Sequence, residues 1–267
     1  MAHSERLETA LAAARAAADV IRHYYDHYGE NIEVRSKSDR SPVTDADVEA
    51  ERTIRRIIAE RCPDHGFYGE ETGRADRDSP FLWLVDPIDG TKSFVRRYPF
   101  FSTQIALMED GELVLGVSSA PAFGELAWAE KGGGAWLDGE PIRVSGIAAL
   151  EDAAVSGGNL RTLASSGRWS AWGEVVARAD RIRGYGDFYH YHLLASGRID
   201  AVVESDVNIL DIAALAVIVR EAGGTFTDLA GEPPGLATTT VLAANPSLHP
   251  VLRGMLDWPS GPAGGTG

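Results

Sequence analysis

The chain has 267 residues, a mass of 28.6 kDa and 44% hydrophobic residues, which is enough apolar material for one large folded domain or two small ones. Its formal net charge of -14 and isoelectric point near 4.9 argue against a nucleic-acid surface, which would need a clustered basic face, and no such cluster appears in the sequence. An anionic substrate would therefore have to be held by local positive charge, which a bound metal ion would supply.

The cysteine and hydropathy patterns indicate the cytoplasm. Cys62 is the only cysteine, so no disulfide can form within the chain. The alanine-rich segment 7–18 resembles part of a signal peptide, but Arg15 and Asp19 interrupt its apolar character. No stretch approaches the roughly 20 apolar residues of a membrane span. We therefore expect a cytoplasmic protein without a membrane segment.

Two helices are predicted near the start of the chain. Apolar residues recur at helical spacing over residues 7–25. A second helix begins with Thr44 as its N-cap and Asp47 as the capping-box partner, and it ends before Pro63. The segment 34–43 between them is polar and turn-rich, and it predicts a mobile loop.

The most informative segment is Asp86-Pro87-Ile88-Asp89-Gly90-Thr91, directly after the apolar run 81–85. Pro87 fixes one backbone angle, and Gly90 permits conformations that are closed to other residues. The turn can therefore bend and aim both acids at one point. The same string also fits a surface turn in which an Asp caps the backbone, and that alternative stays open for the string alone.

Two acids elsewhere in the chain favour the metal-site interpretation of this turn. Glu70 lies upstream of the apolar run and Asp211 lies far downstream, each in a setting that suits a ligand. Like charges held close together, as in Asp86 and Asp89, need a cation. Oxygen ligands favour a hard ion such as Mg2+, which commonly binds together with a phosphate.

The remaining pattern predicts a sheet followed by alternating helices and strands. Strands are predicted at 81–85, 101–107, 113–119 and 126–129, which would form a mixed or antiparallel sheet. Further along, the predicted elements are a helix at 188–195, a strand at 199–204, a helix at 209–222 and a strand at 225–227. We expect one domain over 1–256 with halves of about 1–150 and 151–256, a variable insertion or linker at 156–168, and a flexible tail at 257–267.

Three stretches, in order along the chain, resemble the signature motifs of the inositol monophosphatase family. They are Gly69-Glu70-Glu71, the segment from Trp83 to Phe94, and Asp211-Ile212-Ala213-Ala214 with Glu221-Ala222-Gly223-Gly224. The match spans about Lys37 to Asn245. Members of that family are Mg2+-dependent, lithium-sensitive phosphomonoesterases, usually dimeric. The resemblance implies a layered α/β fold like that of inositol monophosphatase and fructose-1,6-bisphosphatase, two or three Mg2+ ions, a small phosphorylated substrate and a homodimer.

The resemblance also implies roles for individual residues. The metal ligands would be Glu70, Asp86, the carbonyl of Ile88, Asp89 and Asp211. Gly90 and Thr91 would offer backbone N–H groups to the phosphate. The Thr91 hydroxyl with Asp47 would help to activate the attacking water, and Glu70 would also be catalytic. Lys37 and its loop would close over the site and help to order the most weakly held ion.

Three of these acids also fit ordinary structural roles. Asp211 fits the first turn of a helix capped by Asn208, where the helix dipole favours an acid. Glu70 fits a solvated loop acid. The capping box accounts for Asp47 fully without a catalytic role.

The substrate must be sought in residues outside the acidic cluster. The stretch Gly184-Tyr185-Gly186-Asp187-Phe188-Tyr189, together with the segments 90–96 and 118–122, resembles the histidinol-phosphatase branch of the family. That resemblance implies hydrolysis of L-histidinol phosphate to L-histidinol. The ammonium and imidazole of such a substrate need anionic or acceptor partners, which Asp187 and Glu204 would supply.

Several residues in this region also fit roles unrelated to histidinol phosphate. Asp187 fits an N-cap for the following helix, and Glu204 would also bind a sugar hydroxyl. His190 and His192 are two apart and cannot share a helix face, so we interpret them as ordinary structural or surface histidines. Leu210 stands where the family usually has Trp. This difference removes no metal ligand, so it weakens the substrate assignment more than it weakens the assignment of hydrolysis.

Other functions remain as alternatives to a histidinol phosphatase. The first is an inositol-1-phosphate or broad sugar-phosphate phosphatase, with a nucleotide 3'-phosphatase a distant third. From a different class, the chain would be a noncatalytic protein that binds metal or phosphate and acts as a regulatory partner of RNA or another protein. The complete set of acids speaks against that class, because an inactive binder has no need of every ligand.

Overall fold

In the computed structural model, which describes residues 3–27, 34–36, 42–75 and 77–259, the chain forms both helices and strands. The helices are α1 Glu5–Asp26, α2 Asp45–Arg61, α3 Thr91–Val95, α4 Arg161–Ser165, α5 Trp169–Arg178, α6 Tyr189–Ala195, α7 Ile209–Glu221 and α8 Leu248–Leu256. The strands are β1 Val34–Ser36, β2 Pro42–Thr44, β3 Gly66–Gly69, β4 Gly73–Ala75, β5 Phe81–Asp89, β6 Ser102–Glu109, β7 Glu112–Ala120, β8 Glu125–Glu130, β9 Ala135–Leu137, β10 Glu140–Ile142, β11 Ala154–Gly157, β12 Arg181–Arg183, β13 Ala201–Ser205, β14 Thr225–Thr227 and β15 Thr240–Ala244. None of the helices in the described ranges has the length and apolar character that a bilayer crossing requires.

The chain divides into two units. The first contains Met1–Pro141 and Leu210–Glu221, and the second contains Ile142–Ile209 and Ala222–Gly267. Helix α7 therefore belongs to the first unit although it follows most of the second in sequence. Lys37 and residues 260–267 of the predicted tail lie outside the described residues.

The first unit is built on a mixed sheet. Its strand order is β10-β9-β8-β7-β6-β5-β3-β4, with β3 parallel to β5 and antiparallel pairing between β5, β6, β7, β8 and β9. This confirms the predicted mixed sheet. The segment 34–43, predicted as a loop, contains β1 and the first two residues of β2, and these two strands pair antiparallel, while residues 37–41 lie outside the described part.

Helices cover both faces of this sheet. Side chains alternate between the two faces along a strand. Val85, Ile105 and Val117 form one cross-strand row and share a buried core with residues of α1 and α2. On the opposite face, Gly116 faces α7 so closely that an added Cβ would lie 2.3 Å from the carbonyl oxygen of Ala214. The predicted alternation of helix and sheet layers is therefore confirmed.

The second unit has its own mixed sheet and core. The strand order is β12-β11-β13-β15-β14, and α4, α5 and α8 contribute to the core. The stretch 156–168 was predicted as a variable insertion or linker; the linker alternative is wrong, because the stretch contains the end of β11 and all of α4, with Leu163 fully buried, and the insertion alternative stays a prediction. The hydroxyls of Ser165 and Ser166 donate to main-chain carbonyls of α4, so the polarity of these serines is satisfied within the helix.

Candidate metal centre

Strand β5 carries two acids at its end. The strand was expected to end at Val85, but it continues to Asp89 with an irregular register against β6 between Asp86 and Asp89. Gly90 follows with a φ of 87°, and an added Cβ would lie 2.5 Å from the carbonyl oxygen of Phe100. Only glycine combines that backbone conformation with so close an approach. The end of β5 is thus a bulge that brings both acids to one region.

Helix α7 brings a third acid to the same region. Asp211 lies one helical turn before Ala214, the residue that packs on Gly116. Ala106 of β6 pairs with Gly116 on one side and with Leu84 on the other. Asp86 lies two residues after Leu84 and therefore on the same face of the sheet as Gly116. Carboxylate oxygens of Asp86, Asp89 and Asp211 all lie within 4.8 Å of one another. The predicted convergence of these side chains is confirmed, and their role as ligands stays a prediction.

Glu70 lies beside Asp86 because of the parallel pairing of two strands. Gly69 pairs with Val85, and the N–H of Glu70 donates to the carbonyl of Val85 at 3.1 Å. The next residues on the two strands are therefore neighbours. Asp86 is 3% exposed. Burial is the main reason that its pKa lies well above the usual range, and negative charge on Glu70, Asp89 and Asp211 and a hydrogen bond with Glu70 raise it further.

A further carboxyl group, on α2, contacts the start of α3. Asp47 is fully buried, and its Oδ2 accepts hydrogen bonds from the N–H of Thr44 at 2.7 Å and from the Thr44 hydroxyl at 2.6 Å. Its Oδ1 lies 3.1 Å from the Thr91 hydroxyl, which is also 2.9 Å from the carbonyl of Ile88. The single hydroxyl proton can serve one of these acceptors at a time. The capping box is therefore confirmed, and the other oxygen of the same carboxyl group remains directed at Thr91.

Burial also raises the pKa of Asp47, although the hydrogen bonds from Thr44 and Thr91 oppose this and the charge of Glu70 adds to it. Raised pKa values at two neighbouring acids mean that holding negative charge in this region is costly for the protein without a cation. The available donors are carboxylate oxygens and a backbone carbonyl, which are the ligands of hard cations. The residues present therefore fit a divalent metal site.

The predicted substrate residues lie in the second unit. Asp187 precedes α6 and has a φ of 44°. The helix takes Phe188 rather than Asp187 as its N-cap, so the capping alternative for Asp187 is wrong. Its predicted contact with substrate stays a prediction.

Glu204 in β13 is enclosed by hydrogen-bonding groups and is 3% exposed. Its Oε2 accepts from the Tyr191 hydroxyl at 2.8 Å and lies 3.2 Å from Nε2 of His190, and its Oε1 accepts from the N–H of Asn159 at 3.1 Å. The other ring nitrogen of His190 lies 3.2 Å from the hydroxyl of Ser156. His190 is thus a buried structural residue, as is the buried His192, and the substrate contact of Glu204 stays a prediction.

Sequence reasoning missed one acid near the candidate site. Glu51 lies four residues after Asp47 on α2, is fully buried, and accepts hydrogen bonds from the N–H groups of Glu71 and Thr72. Its position on the same helical face as Asp47 was the available signal. Leu210 is buried at the start of α7, and nothing in the structure explains why Leu rather than Trp stands there.

The raised pKa values predict a pH-dependent stabilisation by metal. Above about pH 4 the folded, metal-free protein binds more protons at Asp86 and Asp47 than the unfolded chain does. Its free energy of unfolding therefore falls as the pH rises through the folded-state pKa values. Because Mg2+ binds the ionised carboxylates, we expect the increase in Tm on adding Mg2+ to be larger at about pH 8 than at about pH 5.

The size of this effect can be measured by thermal unfolding with Mg2+ and with EDTA. A free Mg2+ concentration of about 100 times Kd would stabilise the protein by about 2.7 kcal/mol. The exposed Asp110, at the tip of the β6–β7 hairpin, offers the control variant Asp110→Asn, which should respond like the unmodified protein. Equal shifts of Tm at both pH values would contradict the prediction.

The carboxylates at the end of β5 and on α7, of which Asp86 is buried and Asp89 and Asp211 are half-buried, fit a divalent metal site, and the family match places the chain in the class of metal-dependent phosphoric monoester hydrolases. The family model described as "Inositol monophosphatase family" matches residues 2–256. The chain therefore belongs to the inositol monophosphatase family.

Individual relatives agree with this assignment. A histidinol-phosphatase of Mycobacterium tuberculosis is 38% identical over 254 residues, covering 93% of this chain and 96% of that protein. A histidinol-phosphatase of Streptomyces coelicolor is 38% identical over 261 residues, covering 94% of this chain and 96% of that protein. Among solved structures, the extragenic suppressor protein suhB from Bartonella henselae matches with a TM-score of 0.87 and 32% identity, covering 95% of this chain and 98% of that one.

Proposed function

We propose that this chain is a Mg2+-dependent phosphomonoesterase that hydrolyses L-histidinol phosphate to L-histidinol and phosphate. The observation that carries the substrate is the 38% identity to histidinol-phosphatases over nearly the whole chain. The convergence of Asp86, Asp89 and Asp211 supports the metal-dependent chemistry.

The proposed ligands are the carboxylates of Glu70, Asp86, Asp89 and Asp211 together with the carbonyl oxygen of Ile88. That carbonyl lies 2.9 Å from the Thr91 hydroxyl and has a second lone pair for a cation. Two or three Mg2+ ions bound there would supply positive charge that lowers the pKa of a bound water and neutralises the departing alkoxide. This addresses the chemical problem, because a phosphate monoester dianion repels an incoming anion and its bridging oxygen leaves poorly.

The residues around the ligands would orient the water and the phosphate. When the Thr91 hydroxyl donates to Asp47, its oxygen presents a lone pair that can accept a hydrogen from the attacking water. The bonds from Thr44 hold the Asp47 carboxyl group in place for this contact. Gly90 and Thr91 stand at the start of α3, where N–H groups lack acceptors within the helix, and we propose that they donate to phosphate oxygens.

We propose that Asp187 recognises positive charge on the substrate. Histidinol phosphate carries an ammonium and an imidazole, whereas inositol presents only hydroxyls, so an acid should favour the former. Glu204 would contribute as well, with His190 and Tyr191 fixing the orientation of its carboxylate. The family resemblance supports a role for Lys37 and its loop in closing over the site and helping to order the most weakly held ion.

The substrate assignment predicts a specific effect of the Asp187→Asn variant. The unmodified protein should have a higher kcat/KM for histidinol phosphate than for inositol 1-phosphate under Mg2+. The variant should lose about 10- to 100-fold in kcat/KM for histidinol phosphate, because a hydrogen bond to a charged group contributes about 1.5–3 kcal/mol. Its kcat/KM for inositol 1-phosphate should change by less than about threefold, since the neutral ring does not need the charge.

Asp180→Asn provides the matched control, because Asp180 is an exposed acid of the same unit. Its kinetics should equal those of the unmodified protein with both substrates. A preference of the unmodified protein for inositol 1-phosphate would end the histidinol-phosphate assignment and leave the inositol-phosphate or sugar-phosphate alternative, which also fits the family description.

A noncatalytic regulatory role is the candidate from another class. The Asp89→Asn variant separates it from catalysis, since a cellular role that persisted after hydrolysis was lost would support binding alone. The resemblance further supports lithium inhibition and a homodimer, and the single cysteine is in keeping with the cytoplasm. Enzyme assays with Li+ would test the lithium inhibition, and light scattering would test the homodimer.

A further inference from the structure

We infer that Glu51 is a positioning residue that holds the backbone of the Glu70 turn in place for metal binding. Its Oε2 accepts the N–H of Glu71 at 2.7 Å, and its Oε1 accepts the N–H of Thr72 at 2.8 Å. Glu51 itself is fully buried in α2. One carboxylate therefore binds both backbone N–H groups that follow Glu70, the proposed ligand, so this inference rests on the proposed function.

The turn is held on both sides of Glu70. On the N-terminal side, the N–H of Glu70 donates to the carbonyl of Val85 and ties the turn to β5. On the C-terminal side, the turn runs to β4 through Glu71 and Thr72, the residues that Glu51 binds. With both flanks fixed, the Glu70 side chain needs little further ordering when it reaches a cation, and groups that orient a ligand in this way strengthen metal binding.

The neighbouring glycine supports the same role independently. A Cβ added to Gly69 would lie 2.5 Å from Cδ and Oε1 of Glu51 and 2.7 Å from Oε2. The strand is extended at this position, so glycine is required for space and not for a left-handed conformation. Because Gly69 has no side chain, the Glu51 carboxylate can occupy the space beside it.

Helix α2 thus presents two buried acids to two different turns. Asp47 contacts the Thr91 hydroxyl after β5, and Glu51 contacts the backbone after β3. Because residues four apart lie on one helical face, a single rigid helix sets the position of both turns. Asp47 acts toward the proposed attacking water, whereas Glu51 acts only through Glu70.

The Glu51→Gln variant tests the inference. A glutamine of the same size has one acceptor oxygen, and its NH2 group would face an N–H donor, so one of the two bonds is lost. We expect the Mg2+ concentration for half-maximal effect to rise about 10- to 100-fold, as is typical when a residue that orients a metal ligand is changed. It should be measured both by calorimetric titration with Mg2+ and by Mg2+-dependent hydrolysis. At saturating Mg2+, kcat and KM should stay within about threefold of the unmodified protein.

Hydrogen exchange tests whether Glu51 holds the backbone of the turn, and this test needs neither metal nor activity. In EDTA, the amides of the segment 70–73 should exchange faster in Glu51→Gln, while those of α1 should not. The control variant is Glu60→Gln, at an exposed position of the same helix that pairs with Arg56. It should leave both the exchange and the Mg2+ titration unchanged.

Gly69→Ala provides a second route if Glu51→Gln does not fold. The added methyl group would displace the flexible end of Glu51 and should reproduce both the raised Mg2+ requirement and the faster exchange. A lower Tm with an unchanged Mg2+ midpoint and unchanged exchange in either variant would overturn the inference. If the unmodified protein showed no Mg2+-dependent hydrolysis, the proposed function would fail, whereas exchange in EDTA would still decide whether Glu51 holds the turn.

Discussion

The Asp86→Asn variant is expected to lose at least about 10³-fold in kcat/KM under Mg2+ while unfolding in EDTA at the same temperature as the unmodified protein or a higher one. Metal ions contribute several kcal/mol to transition-state stabilisation, and each 1.36 kcal/mol or so corresponds to a tenfold change in rate. Asp86 is the most buried acid of the cluster, so its loss should affect the ions most.

The stability of the variant follows from the same geometry. Asn keeps the shape of the side chain and retains an oxygen that can accept the N–H of Ile88, which lies 3.0 Å from Oδ1 of Asp86. It removes a carboxyl group whose charged form is disfavoured by burial and by the neighbouring acids. In EDTA at about pH 8 the Asn variant is therefore free of the energetic cost of that buried charge. On addition of Mg2+, the variant should not gain the stability that the unmodified protein gains.

Thermal unfolding and steady-state kinetics should be measured on the same preparations. Asp110→Asn is again the control, because it changes an exposed hairpin acid in the same unit and should alter neither quantity. Retention of more than about a tenth of the activity would exclude Asp86 as an essential ligand. A large loss of Tm in EDTA would show instead that the variant is damaged in its fold.

The local part of the site was predictable from the sequence, because its signals lie within a few residues of one another. The capping box of Thr44 and Asp47 and the spacing of Asp86 and Asp89 both belong to this kind of pattern. Asp211 could be named as a candidate from its setting and from the family resemblance, but its convergence with the end of β5 depends on the close approach of helix α7 to the sheet at Gly116, far away in sequence. Nothing near Asp211 in sequence encodes that contact.

Other features depended on interactions that a local pattern does not contain. Pro87 and Gly90 are typical strand breakers, yet β5 continues to Asp89, because a bulge accommodates a proline that has no N–H to donate to the ladder. The serine-rich stretch 156–168 resembles a linker, since polarity does not reveal that hydroxyls bond within a helix. Glu51 was missed because its partners lie about twenty residues away in sequence.

The second large effect is expected for the Thr91→Val variant, which removes one hydroxyl and keeps the branched shape. If that hydroxyl orients the attacking water, kcat should fall about 10²- to 10⁴-fold, the usual range for a positioned proton acceptor. The Mg2+ midpoint should change by less than about threefold, because the proposed ligands are intact. Thr91→Ser, which retains the hydroxyl, should restore most of the rate.

This result separates water activation from metal binding. Thr91→Val and Glu51→Gln should have opposite signatures, a lower kcat at an unchanged Mg2+ midpoint in the former and a raised midpoint at a retained kcat in the latter. Asp47→Asn should resemble Thr91→Val, since the proposed action of Asp47 on the water passes through that hydroxyl, which donates to Asp47 Oδ1 at 3.1 Å. If Thr91→Val instead raised the Mg2+ midpoint together with the loss of rate, the hydroxyl would be acting through the carbonyl of Ile88, 2.9 Å away, and its proposed role toward the water would be rejected.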